Sequence, residues 1–465
     1  MKNKYNPFKS SFQLNTKQLA TGSLSVLFLS LSFFSCHKSS TVKPTATGIN
    51  QVNHVVVIYM ENHSFDNLYG EFSGANGISN ATPANSIQVD ATGKAYTTLP
   101  PIPGTPVFPT NLPNAIFNID QYVANDVITQ DVLHRYYQEQ MQIDGGKMDK
   151  YALYNSNSAG LSQGYYKTSL LPLLALAQKY TLCDNFYHSA FGGSFLNHQW
   201  LIASASPTFP NAPTGITAVV NSTTGAVISD GQVTPDGFVV NTSYSVNAPH
   251  PASVATANLV PNQTNPTIGD RLSAKSISWA WYSGGWDNAL AGNPDPNFQF
   301  HHQPFIYYKN YADGTQAKKD HLKDETEFIA AAQAGTLPAV SFVKPLGTYN
   351  EHPGYSDVSL GETHAVQLVN DILNGPNGKD VVIIITYDEN GGFWDHVAPP
   401  VIDKKWGPGT RVPAIIISPF AKQGYVDHTQ YETVSILSFI EKRWGLTPLA
   451  TRDQNATPLT NAFNF

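Results

Sequence analysis

His54-Val55-Val56-Val57-Ile58-Tyr59-Met60 and, far downstream, Val381-Val382-Ile383-Ile384-Ile385-Thr386-Tyr387 decide how this chain folds. Both runs are short, rich in β-branched residues and apolar on both alternations, which predicts strands covered on both faces. The runs 181–187, 277–282, 339–343 and 412–418 have the same character. Between them, 168–180, 194–204, 361–373 and 432–444 carry apolar residues at three- and four-residue spacing and predict amphipathic helices. Such alternation implies an open, largely parallel sheet with helices on both sides, a three-layer α/β/α sandwich. Two stretches, 75–112 and 206–267, are dense in Thr, Pro, Asn and Gly without sustained period. They predict long loop insertions, placed to roof one edge of the sheet.

The amino-terminal residues are of another kind. Lys2, Lys4, Lys9 and Lys17 precede an apolar run at 24–34, then Ser35 and Cys36. That is the pattern of a lipoprotein signal peptide over 1–35, although Phe33 and Phe34 stand where an aliphatic and a small residue are commoner. The run is short for a spanning helix, which needs about 20 apolar residues. Residues 36–50, rich in Ser, Thr and Pro, then form a flexible tether from a lipid anchor on Cys36 in the cell envelope to a catalytic domain at 51–465. Removing 1–35 takes away four of the 27 basic residues, leaving 23 against 34 acidic ones, a net charge of −11. This balance excludes a partner whose phosphate backbone is tracked by surface lysines and arginines, so no nucleic acid is expected. Anionic substrates must instead be met by local positive charge or a metal. Only Cys183 follows Cys36, so no internal disulfide forms, and its apolar setting predicts a buried, inert thiol.

In an open α/β sheet, ligands bind beyond the carboxyl ends of the strands. One strand runs into Glu61-Asn62-His63-Ser64-Phe65-Asp66 and another into Asp388-Glu389-Asn390-Gly391-Gly392. Adjacent strand residues point to opposite faces, so Asp388 and Glu389 converge only if the chain turns, and Asn390-Gly391-Gly392 supplies the turn. Two carboxylates forced together leave one protonated unless a cation lies between them. With Glu61 and the Asn62 amide the set becomes four oxygen ligands, a hard site suited to Mg²⁺, Ca²⁺ or Mn²⁺. The plainer alternative makes Glu61 and Asp388 helix caps or ion-pair partners. Gly192-Gly193-Ser194 places a hydroxyl at a helix amino terminus, where free N–H groups favour a phosphate oxygen. Serine is a weak nucleophile until a metal or base activates it, and it is also a good N-cap. His352 and His396 follow strand ends and suit general-acid or oxyanion roles, with His134 and the pair His301-His302 as further candidates.

Together these segments resemble the phosphoesterase family that contains the bacterial non-haemolytic phospholipases C and the respiratory-burst-inhibiting acid phosphatases. The resemblance runs from about Asn53 to Trp444 and is most specific in 54–66, in 386–397, and from Arg411-Val412-Pro413 to Ser418-Pro419. It implies an alkaline-phosphatase-like core and one catalytic divalent metal ion. It also implies metal-ligand roles for Glu61, Asn62, Asp388 and Glu389 and a nucleophile role for Ser194. His134, His352 and His302 would touch the phosphoryl group. Ser194-Phe195-Leu196 departs from the phospholipase pattern, which has threonine followed by histidine and proline, and the His301 to Phe305 segment is also phosphatase-like. The expected activity is therefore acid phosphatase action on phosphomonoesters through a phosphoseryl intermediate. The alternatives are a phospholipase C or phosphodiesterase on lipid head groups, and a non-catalytic lipoprotein that captures ligands through its insertions.

Overall fold

A computed structural model describes residues 46–465; the expected signal peptide, Cys36 and the first part of the tether lie outside the described residues. The folded body opens with a 3-10 turn at Gly48–Gln51, and just after it the Val52 carbonyl accepts from Arg443 of the helix Thr433–Trp444. Eight strands form the central sheet: β1 His54–Met60, β2 Thr181–Cys183, β3 Trp279–Ser283, β4 Leu322–Asp324, β5 Val340–Lys344, β6 Val381–Tyr387, β7 Ala414–Ile417 and β8 Tyr425–Asp427. Their spatial order is β8-β2-β7-β6-β1-β5-β3-β4. Every pairing is parallel except those of β7 with β6 and β2, so β7 alone runs backwards. Val55 to Met60 of β1 and all of β6 are buried on both alternations, as strands covered on both faces must be. The fold is α/β with a largely parallel central sheet, as the sequence pattern requires.

The helices that matter below are α1 Phe65–Tyr69, α2 Ser194–Ala203, α3 Glu325–Ala334, α4 Val358–Asn374 and α5 Thr433–Trp444. Three expectations are adjusted. The run 181–187 splits, because after Cys183 the chain leaves the sheet and Phe186–Tyr187 pairs with Tyr431–Glu432 instead. The helix expected over 168–180 is broken by Pro172 into a 3-10 turn at Thr168–Leu170 and a short helix at Leu174–Lys179. Proline lacks the N–H and clashes with the preceding turn. Finally, β7 runs opposite to its neighbours, so it is Arg411, before that strand, that lies at the carboxyl edge, where Ala414 pairs with Thr386. The two insertions carry little regular structure: 3-10 turns, a one-turn helix at Pro83–Ser86 in the first, and the Val219–Val220 and Val227–Ser229 hairpin in the second. Among the described residues no helix is long and apolar enough to cross a membrane.

A buried carboxyl pair lies under α4. Glu362 accepts from the Tyr69 hydroxyl (3.2 Å) and the Leu173 N–H (2.7 Å), and Glu351 accepts from the Tyr387 hydroxyl (2.9 Å). Burial pushes Glu362 up to about 8, and burial together with the Glu362 charge raises Glu351 well above its ordinary range. A carboxyl group raised in the fold binds its proton more tightly there than in the unfolded chain. Its stabilisation is therefore complete below the ordinary carboxylate range and is lost as pH rises through about 8. Glu362→Gln should leave stability nearly unchanged at pH 5 and raise it by about 2–4 kcal/mol at pH 9. Denaturant melts at the two pH values check this; an equal effect at both would contradict it.

Candidate active site

At the carboxyl edge of the sheet, β1 and β6 end side by side. The Asp388 N–H donates to the Met60 carbonyl (3.1 Å), and the Glu61 N–H donates to the Asn350 carbonyl (3.0 Å). The chain then turns sharply at both ends. Asn62 takes a left-handed φ of 64°, which asparagine tolerates better than most residues. Gly391 has φ 63°, and a Cβ there would stand 2.1 Å from the Asn62 carbonyl oxygen, so only glycine lets the two turns nest. This nesting brings Glu61, Asn62, Asp388 and Glu389 together, all essentially without solvent exposure.

Asp388 and Glu389 each have one oxygen held by backbone N–H groups, whereas Glu61 is held by side chains. Asp388 Oδ1 accepts from the Asn62 N–H (3.1 Å) and the Glu389 N–H (2.8 Å), while Oδ2 is buried without a hydrogen-bond partner among the described residues. Glu389 Oε2 accepts from the Gly391 N–H. Glu61 Oε1 lies 2.6 Å from both Lys344 Nζ and His302 Nε2, and the Ser194 hydroxyl donates to its Oε2 at 3.3 Å. The Asn62 amide aims one terminal atom at Glu61 Oε2 (3.2 Å) and Glu389 Oε1 (2.8 Å) and the other at His352 Nε2 (3.1 Å) and His134 Nε2 (3.2 Å).

The histidines decide which of those two atoms is the oxygen. His134 Nδ1 bonds to the Val132 carbonyl and His352 Nδ1 to the Pro353 carbonyl, so in the neutral rings Nδ1 carries the proton and Nε2 is an acceptor. An acceptor needs the amide nitrogen, which turns Asn62 Oδ1 towards the carboxylates. Burial holds His352 below its ordinary value and so keeps it neutral. The result is an inward-facing cluster of oxygens at 2.8–3.3 Å from one another. Six oxygens about 2.0–2.4 Å from one cation have edges of about this length. The residues present therefore fit a hard divalent metal ion.

Charge supports the same conclusion. Burial pushes Glu61 up, but the His302 and Lys344 charges more than reverse this and hold it well below the usual carboxylate range. Burial and the Glu61 charge push Asp388 up to about 7, and burial and the Asp388 charge raise Glu389 further. Three dry carboxylates thus share one lysine and the His302 ring, and protons fill the deficit unless a cation does.

Ser194 is the first residue of α2, with Gly193 as its N-cap, so its hydroxyl is not spent on capping. It lies on the floor of a cleft of about 310 Å³ lined also by Asp131, His134, Asn241, His301, His352 and Tyr355. The structure thus brings together the four acid and amide residues, Ser194, His134 and His352. Two expectations change. His302 does not line this cleft: it sits behind Glu61, its ring stacked on His198 (centroids 5.1 Å apart), and His301 takes the position facing the cleft. His396 is a structural residue, with Nδ1 on Asp66 (2.6 Å) and Nε2 on Asn76 (3.1 Å), inside a buried network around Arg411 that joins Asp66 and Asp395.

Sequence reasoning missed Lys344 and His198. Lys344 ends β5, and a lysine closing an otherwise apolar strand is a signal that a buried anion awaits it. His198 lies one helical turn after Ser194, on the same face of α2.

Comparison with known proteins supplies the lineage. The model of the Phosphoesterase family matches residues 52–447. The non-hemolytic phospholipase C of Pseudomonas aeruginosa is 24% identical over 90% of this chain, and that of Burkholderia pseudomallei is 26% identical over 90%. The chain spans 58% and 59% of those two proteins. Phospholipase C A of Mycobacterium tuberculosis is 25% identical over 91% of this chain and 79% of its own length. Among solved structures, an alkaline phosphatase superfamily protein from Vibrio parahaemolyticus superposes with a TM-score of 0.34 at 11% identity, over 63% of this chain and 67% of that one. Murine ectonucleotide pyrophosphatase/phosphodiesterase 5 gives 0.31 at 9% identity, over 63% of this chain and 94% of that one. At such scores the architecture rests on the sheet itself.

Proposed function

The chain belongs to the phosphoesterase family, and from that premise we propose that it is a metal-dependent hydrolase of phosphate esters, acting on phosphomonoesters through Ser194. The observation that carries this reading is the convergence of Glu61 Oε2, Asn62 Oδ1 and Glu389 Oε1 beside the Ser194 hydroxyl, with the buried, unpartnered Asp388 Oδ2 on the adjoining strand end. A divalent ion held by those four residues supplies charge neutralisation and makes a neighbouring hydroxyl easier to deprotonate.

This chain's residues do the rest. Ser194 Oγ forms a bond to phosphorus as the bond to the leaving-group oxygen breaks, giving a phosphoserine. Its proton has Glu61 Oε2 as a near acceptor. The free N–H groups at the start of α2 bind phosphoryl oxygens. His352 and His134, with Nδ1 fixed on backbone carbonyls, line the cleft and hold the Asn62 amide through Nε2, and the departing alcohol takes its proton from solvent. A solvent water then cleaves the phosphoserine, its oxygen replacing Ser194 Oγ on phosphorus and its proton returning to that Oγ. The reading carries with it export and a lipid anchor at Cys36, supported by the lysine-rich start and the apolar run before it.

A second reading, phospholipase C action, is favoured by the names of the curated relatives. The cleft is also lined by Asp131 and Tyr355, a carboxylate and an aromatic ring of the kind that suits a cationic head group. A panel of p-nitrophenyl phosphate, its bis-ester and phosphatidylcholine separates the readings. The monoester should turn over at least about tenfold faster than either diester, and only with metal present. Faster cleavage of phosphatidylcholine would install the second reading, and no turnover of any ester would leave a ligand-capture protein.

A further inference from the structure

We infer that Lys344 is the positioning residue of the cation site: its ammonium fixes Glu61 Oε1 so that Oε2 alone faces Ser194 and the metal. This rests on the metal-dependent reading above. Lys344 is the last residue of β5, every residue of which is buried. Its Nζ lies 2.6 Å from Glu61 Oε1, 3.8 Å from Asp388 Oδ2 and 3.2 Å from the Met60 carbonyl, and 5.2 Å from the centre of the Tyr59 ring. Asp388 and Glu389 are anchored by backbone N–H groups that no side-chain change removes. The Glu61 carboxylate has no backbone donor among the described residues; Lys344 and His302 close on its Oε1 instead. Glu61, His198 and His302 offer ligand atoms within 4.8 Å of one another, and the Glu61 oxygen beside His302 is the one paired with Lys344.

A buried ion pair kept only for packing is often replaceable by an apolar side chain of similar volume. The two roles therefore separate in Lys344→Met. If Lys344 merely packs, removing a positive charge beside the site leaves cation binding unchanged or tightens it. If it positions Glu61, binding weakens by about 10–100-fold, the usual cost of losing a group that orients a metal ligand.

The test uses the full chain and Mn²⁺ alone, by calorimetry and by following the thermal transition against Mn²⁺ concentration. The second readout also scores a variant that is unfolded without metal. One Mn²⁺ per wild-type chain and a half-saturation 10–100-fold higher in Lys344→Met are expected. Lys344→Gln, one atom too short to reach Glu61, should be at least about tenfold weaker. Unchanged or tighter binding in both variants overturns the role of Lys344 and leaves the metal-dependent reading standing. A wild-type chain that binds no divalent cation overturns both.

Discussion

Ser194→Ala should lower turnover of a phosphomonoester by on the order of 10⁴–10⁶-fold while the protein keeps its fold and its divalent metal. The loss is large because this hydroxyl, beside Glu61 Oε2 and Asn62 Oδ1, is the group assigned to form the bond to phosphorus. The fold is spared because Gly193, not Ser194, caps α2, so no helix-end hydrogen bond is lost. Single-turnover kinetics with a chromogenic monoester check the size of the effect, and a Mn²⁺ titration checks that the metal remains. Near wild-type turnover in this variant would remove Ser194 from the chemistry.

The second large effect is expected from Asp388→Asn. The asparagine Oδ1 can accept the same two N–H groups, from Asn62 and Glu389, that Asp388 Oδ1 accepts. Its amide N–H then takes the place of Oδ2 and points a donor where the metal needs an acceptor. Metal binding should be lost and turnover should fall by on the order of 10³-fold. Stability should move the other way. Burial and the Glu61 charge hold Asp388 up near 7, so removing its charge relieves repulsion in the metal-free protein, which should melt at a higher temperature than wild type. Calorimetry with metal and thermal melts without it measure the two halves. A variant that is both active and metal-replete would show that Asp388 is not a ligand.

Much of this was legible in the sequence, and the reason is physical. Strands buried on both faces write continuous apolar runs, so β1 and β6 were read to their end residues. The polar residues immediately after them were then read as edge residues, which located Glu61, Asn62, Asp388 and Glu389. Strands of three residues, such as β4 and β8, are too short to show a period and went unseen. Strand direction is also absent from an apolar run, which is why the reversal of β7 and the edge position of Arg411 needed coordinates. The histidines divide by the same logic. His134 and His352 sit on loops that reach the cleft, but sequence alone could not order His301 and His302, adjacent residues that face the cleft and the back of Glu61 respectively. Lys344 was passed over because a lysine at a strand end is usually solvated; only the packing of β5 against β1 shows it pressed against a carboxylate.

The orientation of Asn62 links these residues into one account. Two imidazoles with Nδ1 tied to carbonyls require the amide nitrogen, and that turns the amide oxygen towards Glu61 and Glu389. A crystal grown with Mn²⁺ and read by anomalous scattering tests this most directly. The account requires one peak in bonding contact with Glu61 Oε2, Asn62 Oδ1, Asp388 Oδ2 and Glu389 Oε1, beside the Ser194 hydroxyl. A peak held instead by Asp131, His134 and His352, or none at the four oxygens, would contradict it.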